Sequence, residues 1–285
     1  MKKFILFLGV FFALANANAQ SKIKSNLNIM TFNIRYDNPS DGPNSWQYRK
    51  ENALKMIRFN EVDILGMQEV LANQLKDFTT NLTEYNTIGV GREDGKEKGE
   101  YSPILYNKNK FTLIKSGYFW LSQTPEKPSK GWDAACERIA TWVQLKDKSS
   151  GKNLFVLNTH FDHIGEVARR ESVNLIKTKM TQLSEGMPQI MMADLNATPD
   201  SSVIQSVLTT DKSLSLLDSK KLAAIVYGPN WSFHDFGKIP FKDRTLIDYI
   251  LVTKEITVRK YAVFAETLND LFLSDHAPVF INVSL

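Results

Sequence analysis

The sequence predicts an α/β protein in which β-sheets are flanked by helices. Three observations carry this reading. Ten strand-like runs recur between residues 27 and 283. Several, such as 62–67 (Val-Asp-Ile-Leu-Gly-Met) and 190–193 (Ile-Met-Met-Ala), are apolar on both parities, as strands covered on both faces are. Stretches of helical periodicity lie between them, the pattern of sheets sandwiched by helices. Two mixed sheets packed together would accommodate this many strands in one domain.

In chain order, a strand at 27–34 comes first. Residues 37–44, rich in Asn, Asp, Pro, Ser and Gly, read as a loop. Over 46–60, Trp46, Ala53, Leu54, Ile57 and Arg58 recur at near-helical spacing. A strand at 63–68 and a shorter helix at 71–80 follow. The charged run 92–100 (Arg-Glu-Asp-Gly-Lys-Glu-Lys-Gly-Glu) reads as a solvated loop. Strands are expected at 102–106, 112–121, 139–145 and 154–159. The longest helix is expected at 166–184, where Val173, Leu175, Ile176, Met180 and Leu183 form a stripe. After a strand at 189–193, Thr198-Pro199-Asp200 opens a short helix at 201–208, with proline near its first turn. Strands at 248–253, 257–264 and 279–283 complete the pattern.

The chain has 285 residues, 43% hydrophobic and 23% charged, ample for a sizeable core. No repeat or linker divides residues 20–285, which read as a single domain. Residues 1–19 stand apart. Lys2 and Lys3 precede an apolar run over 4–14, and Ala17-Asn18-Ala19 fits a signal-peptidase site. This predicts a cleaved signal peptide and a secreted or periplasmic protein. The run is short for a membrane span, and no cysteine follows it to carry a lipid. Losing Lys2 and Lys3 takes the formal net charge from +4 to about +2. That is not the basic excess of a protein gripping long nucleic acid. The single cysteine, Cys136, excludes an internal disulfide and reads as a packed residue rather than a nucleophile.

Short polar islands sit at the ends of the apolar runs: Thr31-Phe32-Asn33, Met67-Gln68-Glu69, Asn158-Thr159-His160-Phe161-Asp162, Ala193-Asp194-Leu195-Asn196, Ile247-Asp248 and Ser274-Asp275-His276. Carboxylate and amide oxygens suit a hard divalent cation. Histidines paired with aspartates suit proton transfer near neutral pH. Taken singly, each island has a plainer reading: a turn-capping asparagine, a surface glutamate, a packed histidine. His160 and His163 differ by an odd offset and would face apart in an extended strand, and no HExxH helix is present, so zinc is disfavoured. No Gly-x-Ser-x-Gly elbow supports a serine nucleophile.

Together and in this order, the islands resemble the endonuclease/exonuclease/phosphatase superfamily from about residue 27 to the end of the chain. The resemblance implies a four-layer α/β/β/α sandwich of two mixed sheets, with the site at one end. It implies Glu69 as the main ligand of Mg²⁺ or Mn²⁺, with Asn33 and Asp275 near the ion. It implies His276 oriented by Asp248, His160 and Asn196 on phosphate oxygens, and Asp194 aligning the attacking water. Whether Asp194 or His276 is the base stays open. Arg35 stands where the apurinic-site enzymes of the family carry an acidic residue, which argues against a second metal.

Further segments, including residues 37–44, 119–125 and 131–138, resemble a secreted bacterial branch, with deadenylase-like relatives as its nearest named group. Arg35, Arg49, Trp132, Arg138, His163 and Arg169 are candidates for substrate binding, since arginine offers a bidentate fork to phosphate. The equally weighted alternative places the tryptophans in the core and the arginines in surface pairs. The leading functional reading is a secreted metal-dependent phosphoesterase acting on a small phosphorylated substrate, with the protein a monomer. An extracellular nuclease is a less favoured alternative. A catalytically retired ligand-binding protein is a further one, disfavoured by the intact residue set.

Overall fold

The computed structural model describes residues 25–210 and 214–285. The predicted signal peptide lies outside the described residues. In chain order the elements are β1 (Asn26–Asn33), α1 (Trp46–Phe59), β2 (Ile64–Gln68), α2 (Ala72–Asn81), β3 (Tyr85–Ile88), β4 (Ile104–Asn107), β5 (Phe111–Trp120), β6 (Ile139–Asp147) and β7 (Asn153–His160). They continue with α3 (Glu166–Leu183), β8 (Gln189–Asp194), α4 (Ser202–Leu208), β9 (Leu217–Asp218), α5 (Ser219–Leu222), β10 (Ile225–Tyr227), β11 (Asp248–Val252), β12 (Thr257–Val263), β13 (Thr267–Leu268), β14 (Leu271–Phe272) and β15 (Val279–Ser284).

Two mixed sheets face each other. One has the order β10-β12-β15-β1-β2-β4-β3, the other β5-β6-β7-β8-β11-β9; β13 and β14 form a small separate ribbon. The period of two along each strand sorts side chains between two cores. Leu27, Ile29, Ile64, Val156, Ile190, Met192, Ile250 and Ile281 meet between the sheets. The alternate positions Met30, Phe32, Leu65 and Met67 pack outward on Ala53, Leu54 and Ile57 of α1 and Phe78 of α2. On the other sheet, Phe155, Leu157, Met191 and Leu251 pack on Val173, Ile176 and Met180 of α3 and Ile204 and Val207 of α4. The result is a four-layer α/β/β/α sandwich. Strands apolar on both parities are those with a sheet on one face and a helix on the other.

The sheets approach closely near the site. A Cβ on Gly66 would lie 2.7 Å from Met192 Cε and 2.8 Å from Asn158 Oδ1, so any larger residue would have to displace the methionine tip and the hydrogen-bonded Asn158 amide. The long helices and strands match the sequence reading to within a few residues. The short edge elements do not. β3 is half-exposed and lacks a clear apolar alternation, and the loop expected at 37–44 is mostly a 3-10 turn, Pro39–Asn44, begun by the side chain of Asn38, which accepts from Ser40 N at 3.1 Å. Among the described residues, no helix is long and apolar enough to cross a membrane.

Candidate active site

The inward-facing ladder that is apolar in mid-strand turns polar at one end of the sandwich. On β1 the series Leu27, Ile29, Thr31 closes with Asn33. On β2, Ile64 and Gly66 give way to Gln68. On β7, Leu154 and Val156 give way to Asn158 and His160, and on β8, Ile190 and Met192 lead to Asp194. Strand register aligns these ends: Asn33 is opposite Gln68, and Asp194 is opposite both His160 and Asp248. A polar floor seals the end. Gln68 Nε2 donates to Thr31 Oγ1 (2.9 Å) and Asn158 Oδ1 (2.6 Å), and Asn158 Nδ2 donates to the Met67 carbonyl (2.7 Å).

Above this floor the two sheets share one cluster. Asn33 Nδ2 donates to Glu69 Oε1 at 3.1 Å and to Asp194 Oδ2 at 2.9 Å, bridging carboxylates from opposite sheets. Glu69 follows the end of β2 in a left-handed conformation (φ 59°) and also accepts from Tyr36 N. His276, just before β15, is bonded through Nδ1 to Asp248 Oδ2 at 2.8 Å, and Ser232 Oγ donates to the same oxygen. Asn196 Nδ2 donates to the Phe161 carbonyl (3.0 Å) and sits 3.0 Å from His160 Nε2. His160 Nδ1 is buried and has no hydrogen-bond partner.

The electrostatics separate the two histidines. Burial, reinforced by Arg138 and Arg92, holds His160 well below its ordinary value, so it is a neutral ring. With Nε2 facing the Asn196 amide donor, its proton falls on Nδ1. Burial alone would strip His276 of its proton, but Asp248, Asp194 and Asp275 outweigh it and hold the ring well above its ordinary value. Asp194 is pushed up to about 7 by burial and by Asp248. Burial, and to a smaller degree Glu69, raises Asp275, and burial also raises Glu100.

The donor set fits a hard divalent cation. Glu69 and Asp275 offer carboxylate oxygens, with the Asn33 amide between them and Asp194 (its Nδ2 turned to Glu69 and Asp194, its Oδ1 accepting from Arg35 N), and buried carboxylates crowd one another there, a repulsion that a cation relieves. Asp194, Asp248 and His276 also lie close enough together to chelate an ion. The His276–Asp248 hydrogen bond already engages two of those ligand atoms, which assigns that trio to proton handling.

A cavity of about 430 Å³ opens onto the cluster. Its lining includes Arg35, Glu69, Glu100, Arg138, His163 and His276. His163 joins His160 there, against the parity expectation, because β7 ends at His160. The chain then turns around Asp162, whose Oδ1 accepts from Ile164 N and Gly165 N. Burial alone would raise Asp162, yet the N–H groups of Gly165, Ala135 and Ile164 and the Arg138 guanidinium hold it well below the carboxylate range.

The other candidate residues divide. Arg138 is buried and pairs with Asp162 (3.3 Å) and His163 Nδ1 (2.9 Å), rather than forming a surface pair. Arg35 is bidentate to Asp41. Arg49 does not belong with the cleft: it is 0% exposed, and Nη1 donates to the carbonyls of Ile34 and Leu273 at 2.8 Å, tying α1 to the site loops. Arg169 does not line the cavity but donates to the Asp162 carbonyl, and Trp132, half-buried and left-handed (φ 50°), does not line it either. Trp120 is buried, and Trp142 stacks on Phe155. Cys136 is half-buried at the cavity wall. The run 92–100 is a loop with Glu93, Lys96, Glu97 and Lys98 exposed, as expected, but its two ends, Arg92 and Glu100, form one wall of the cavity. Tyr36 and Phe233 were not anticipated either, because nothing in their local sequence marks them.

The family described as Endonuclease/Exonuclease/phosphatase matches residues 30–276. Among solved structures, an endonuclease/exonuclease/phosphatase from Bacteroides vulgatus is 45% identical, with a TM-score of 0.89 over 92% of this chain and 100% of that one. A mannosyl-6-phosphatase from Bacteroides thetaiotaomicron is 35% identical, with a TM-score of 0.85 over 90% of this chain and 99% of that one. The Ccr4 3'-5'-exoribonuclease subunit of Mycosarcoma maydis is 26% identical over 51% of this chain, a match that covers 26% of that larger protein.

Proposed function

The chain belongs to the endonuclease/exonuclease/phosphatase family of metal-dependent phosphoesterases and nucleases, and from that premise we propose that it is an exported, Mg²⁺-assisted phosphoesterase that hydrolyses a small phosphorylated substrate, a sugar phosphate foremost. The observation that carries this is the Asn33 bridge. It holds Glu69 and Asp194 together across two sheets, within one cavity that also presents His160 and His276. Export is supported by the sequence of residues 1–19, and the sugar phosphate by the 35% identical mannosyl-6-phosphatase.

Glu69 would hold the cation, with Asp275 and Asn33 close to it, and the cation when bound would supply Lewis-acid stabilisation of charge growing on the phosphate oxygens. His160, neutral and with its Nδ1 proton unclaimed, donates to a nonbridging oxygen, with Asn196 fixing the ring. His276, clamped by Asp248 at Nδ1, has Nε2 left for the phosphate. Asp194 aligns the attacking water. Water attacks phosphorus and gives up a proton, which the Asp194 carboxylate is placed to take; the ester P–O bond breaks, the proton passes to the leaving alcohol, and no covalent enzyme intermediate is required.

The cavity volume, about 430 Å³, is in the range of small-molecule pockets. Phosphate release should be assayed from sugar phosphates, lipid headgroup phosphates and nucleotides, alongside plasmid nicking, with and without a chelator. Chelator-sensitive release from small phosphoesters is expected. Plasmid nicking without small-molecule turnover would replace this reading with the nuclease one.

A further inference from the structure

We propose that Glu100 is a specificity-determining residue of this cleft: its carboxylate accepts hydrogen bonds from hydroxyls of the leaving alcohol, and its charge excludes leaving groups that carry a second phosphate. The inference rests on the phosphoesterase reading above and narrows the substrate to monoesters of uncharged polyols.

Position comes first. Glu100 Oε2 lies 4.0 Å from His160 Nδ1, the donor assigned to a phosphate oxygen. It therefore stands within reach of an ester bound there. It is held there firmly. Arg92 N donates to the Glu100 carbonyl (3.1 Å) and Glu93 N to that of Lys98 (3.1 Å), closing the loop on itself. The indole of buried Trp120 donates to the Arg92 carbonyl at 2.6 Å and anchors the loop to β5.

Charge comes next. A second phosphate needs cations that are not already paired. In this cavity each guanidinium has a partner: Arg92 is bidentate to Glu100 (2.7 and 2.8 Å), Arg35 to Asp41 (3.0 and 3.1 Å), and Arg138 engages Asp162 and His163. An anion entering this wall meets an Arg92–Glu100 pair whose charges already cancel, so a second phosphate finds no cation free to receive it while Glu100 keeps Arg92 engaged. A hydroxyl meets something better. Arg92 engages one site on each Glu100 oxygen, and a carboxylate has about four acceptor sites in all. The Glu100 side chain is partly exposed, so its remaining acceptor sites match donors such as the hydroxyls of a polyol.

The test compares kcat/KM of the wild type, Glu100→Gln and Glu100→Asp on a hexose 6-phosphate and a hexose 1,6-bisphosphate, with p-nitrophenyl phosphate as reference. The wild type should prefer the monophosphate. Glu100→Gln should shrink that preference by about ten- to hundredfold, the scale of one charged hydrogen-bonding group. Glu100→Asp, which keeps the charge but withdraws it, should raise KM for the monophosphate while still rejecting the bisphosphate. An unchanged preference in Glu100→Gln overturns the proposal. So does turnover of p-nitrophenyl phosphate without turnover of the hexose monophosphate, an outcome that leaves the phosphoesterase reading standing. If no ester is turned over, that reading fails, and equilibrium binding of the two hexose phosphates decides Glu100: equal discrimination by wild type and Glu100→Gln overturns its role.

Discussion

His276 Nδ1 stands 2.8 Å from Asp248 Oδ2, although β11, which begins at Asp248, and β15, which follows His276, belong to different sheets. The contact fixes the ring's orientation and leaves Nε2 for the substrate. His276→Ala should lower kcat by about two to four orders of magnitude, the range seen for positioned acid–base groups. Asp248→Asn should lower kcat less and shift the pH–rate profile, because it removes the group that holds the ring proton. Steady-state kinetics across pH would check both, and a near-normal kcat in the alanine variant would remove His276 from the chemistry.

Metal dependence follows from the oxygen donors. A chelator should abolish turnover, and added Mg²⁺ or Mn²⁺ should restore it. In Glu69→Gln the half-saturating metal concentration should rise by about ten- to hundredfold or more. Calorimetric titration of metal into the two proteins measures this without relying on turnover. Equal affinities would exclude Glu69 as a ligand.

Gly66→Ala should disturb both fold and site. The new methyl would press on Met192 Cε and the Asn158 amide, which holds Gln68. Met192 can swing its tip aside, but the Asn158 amide is held by three hydrogen bonds, so relief requires Asn158 to turn or the sheets to part, at a cost of about 1–3 kcal/mol, as for overpacked cores. Chemical denaturation would show a lower midpoint with an unchanged slope; an unchanged midpoint would mean the approach is looser than described.

Arg49→Met separates a structural role from a binding one. Burial lowers the Arg49 guanidinium to about 10, and its hydrogen-bond partners are backbone carbonyls. Losing those bonds should cost about 2–4 kcal/mol. A lower melting temperature with KM little altered is expected. The reverse pattern would return Arg49 to the substrate.

Asp162 gives a pH signature of stability. Its folded value lies below the unfolded one, near 3.9. The stabilisation is therefore fully present above about pH 5 and fades as pH falls through the unfolded value toward the folded one. The melting-temperature gap between wild type and Asp162→Asn should be wide at pH 7 and narrow on acidification below about pH 4. A gap that is constant with pH would mean the carboxylate's charge is not what matters.

Much of this could be read from the chain because the strands are covered on both faces. Apolar runs such as 190–193 announce themselves, and their polar ends fall where the inward series stops. Asn33, His160, Asp194 and Asp248 stand at such strand ends, while Glu69 and His276 lie just outside their strands; the joint order of the islands, and the family it resembles, is what singled out all six. Glu100 and Arg92 were not singled out. They lie in a run whose composition is that of a solvated loop, and its folding against Trp120 is a tertiary fact without a local signature. Arg49 misled for the opposite reason: an arginine beside a site-like loop looks like a phosphate fork until its burial is known. The parity rule applied to His160 and His163 failed because it holds only while the strand lasts, and β7 ends at His160.

The Asn33 bridge has a further consequence. One half of the reaction centre is carried by each sheet, so the centre exists only while the two sheets keep their alignment. A slip of a fraction of a residue between them, far short of melting, would pull Glu69 from Asp194. Catalysis is thus a gauge of that alignment, and under mild denaturant it should fade before circular dichroism registers any loss of structure.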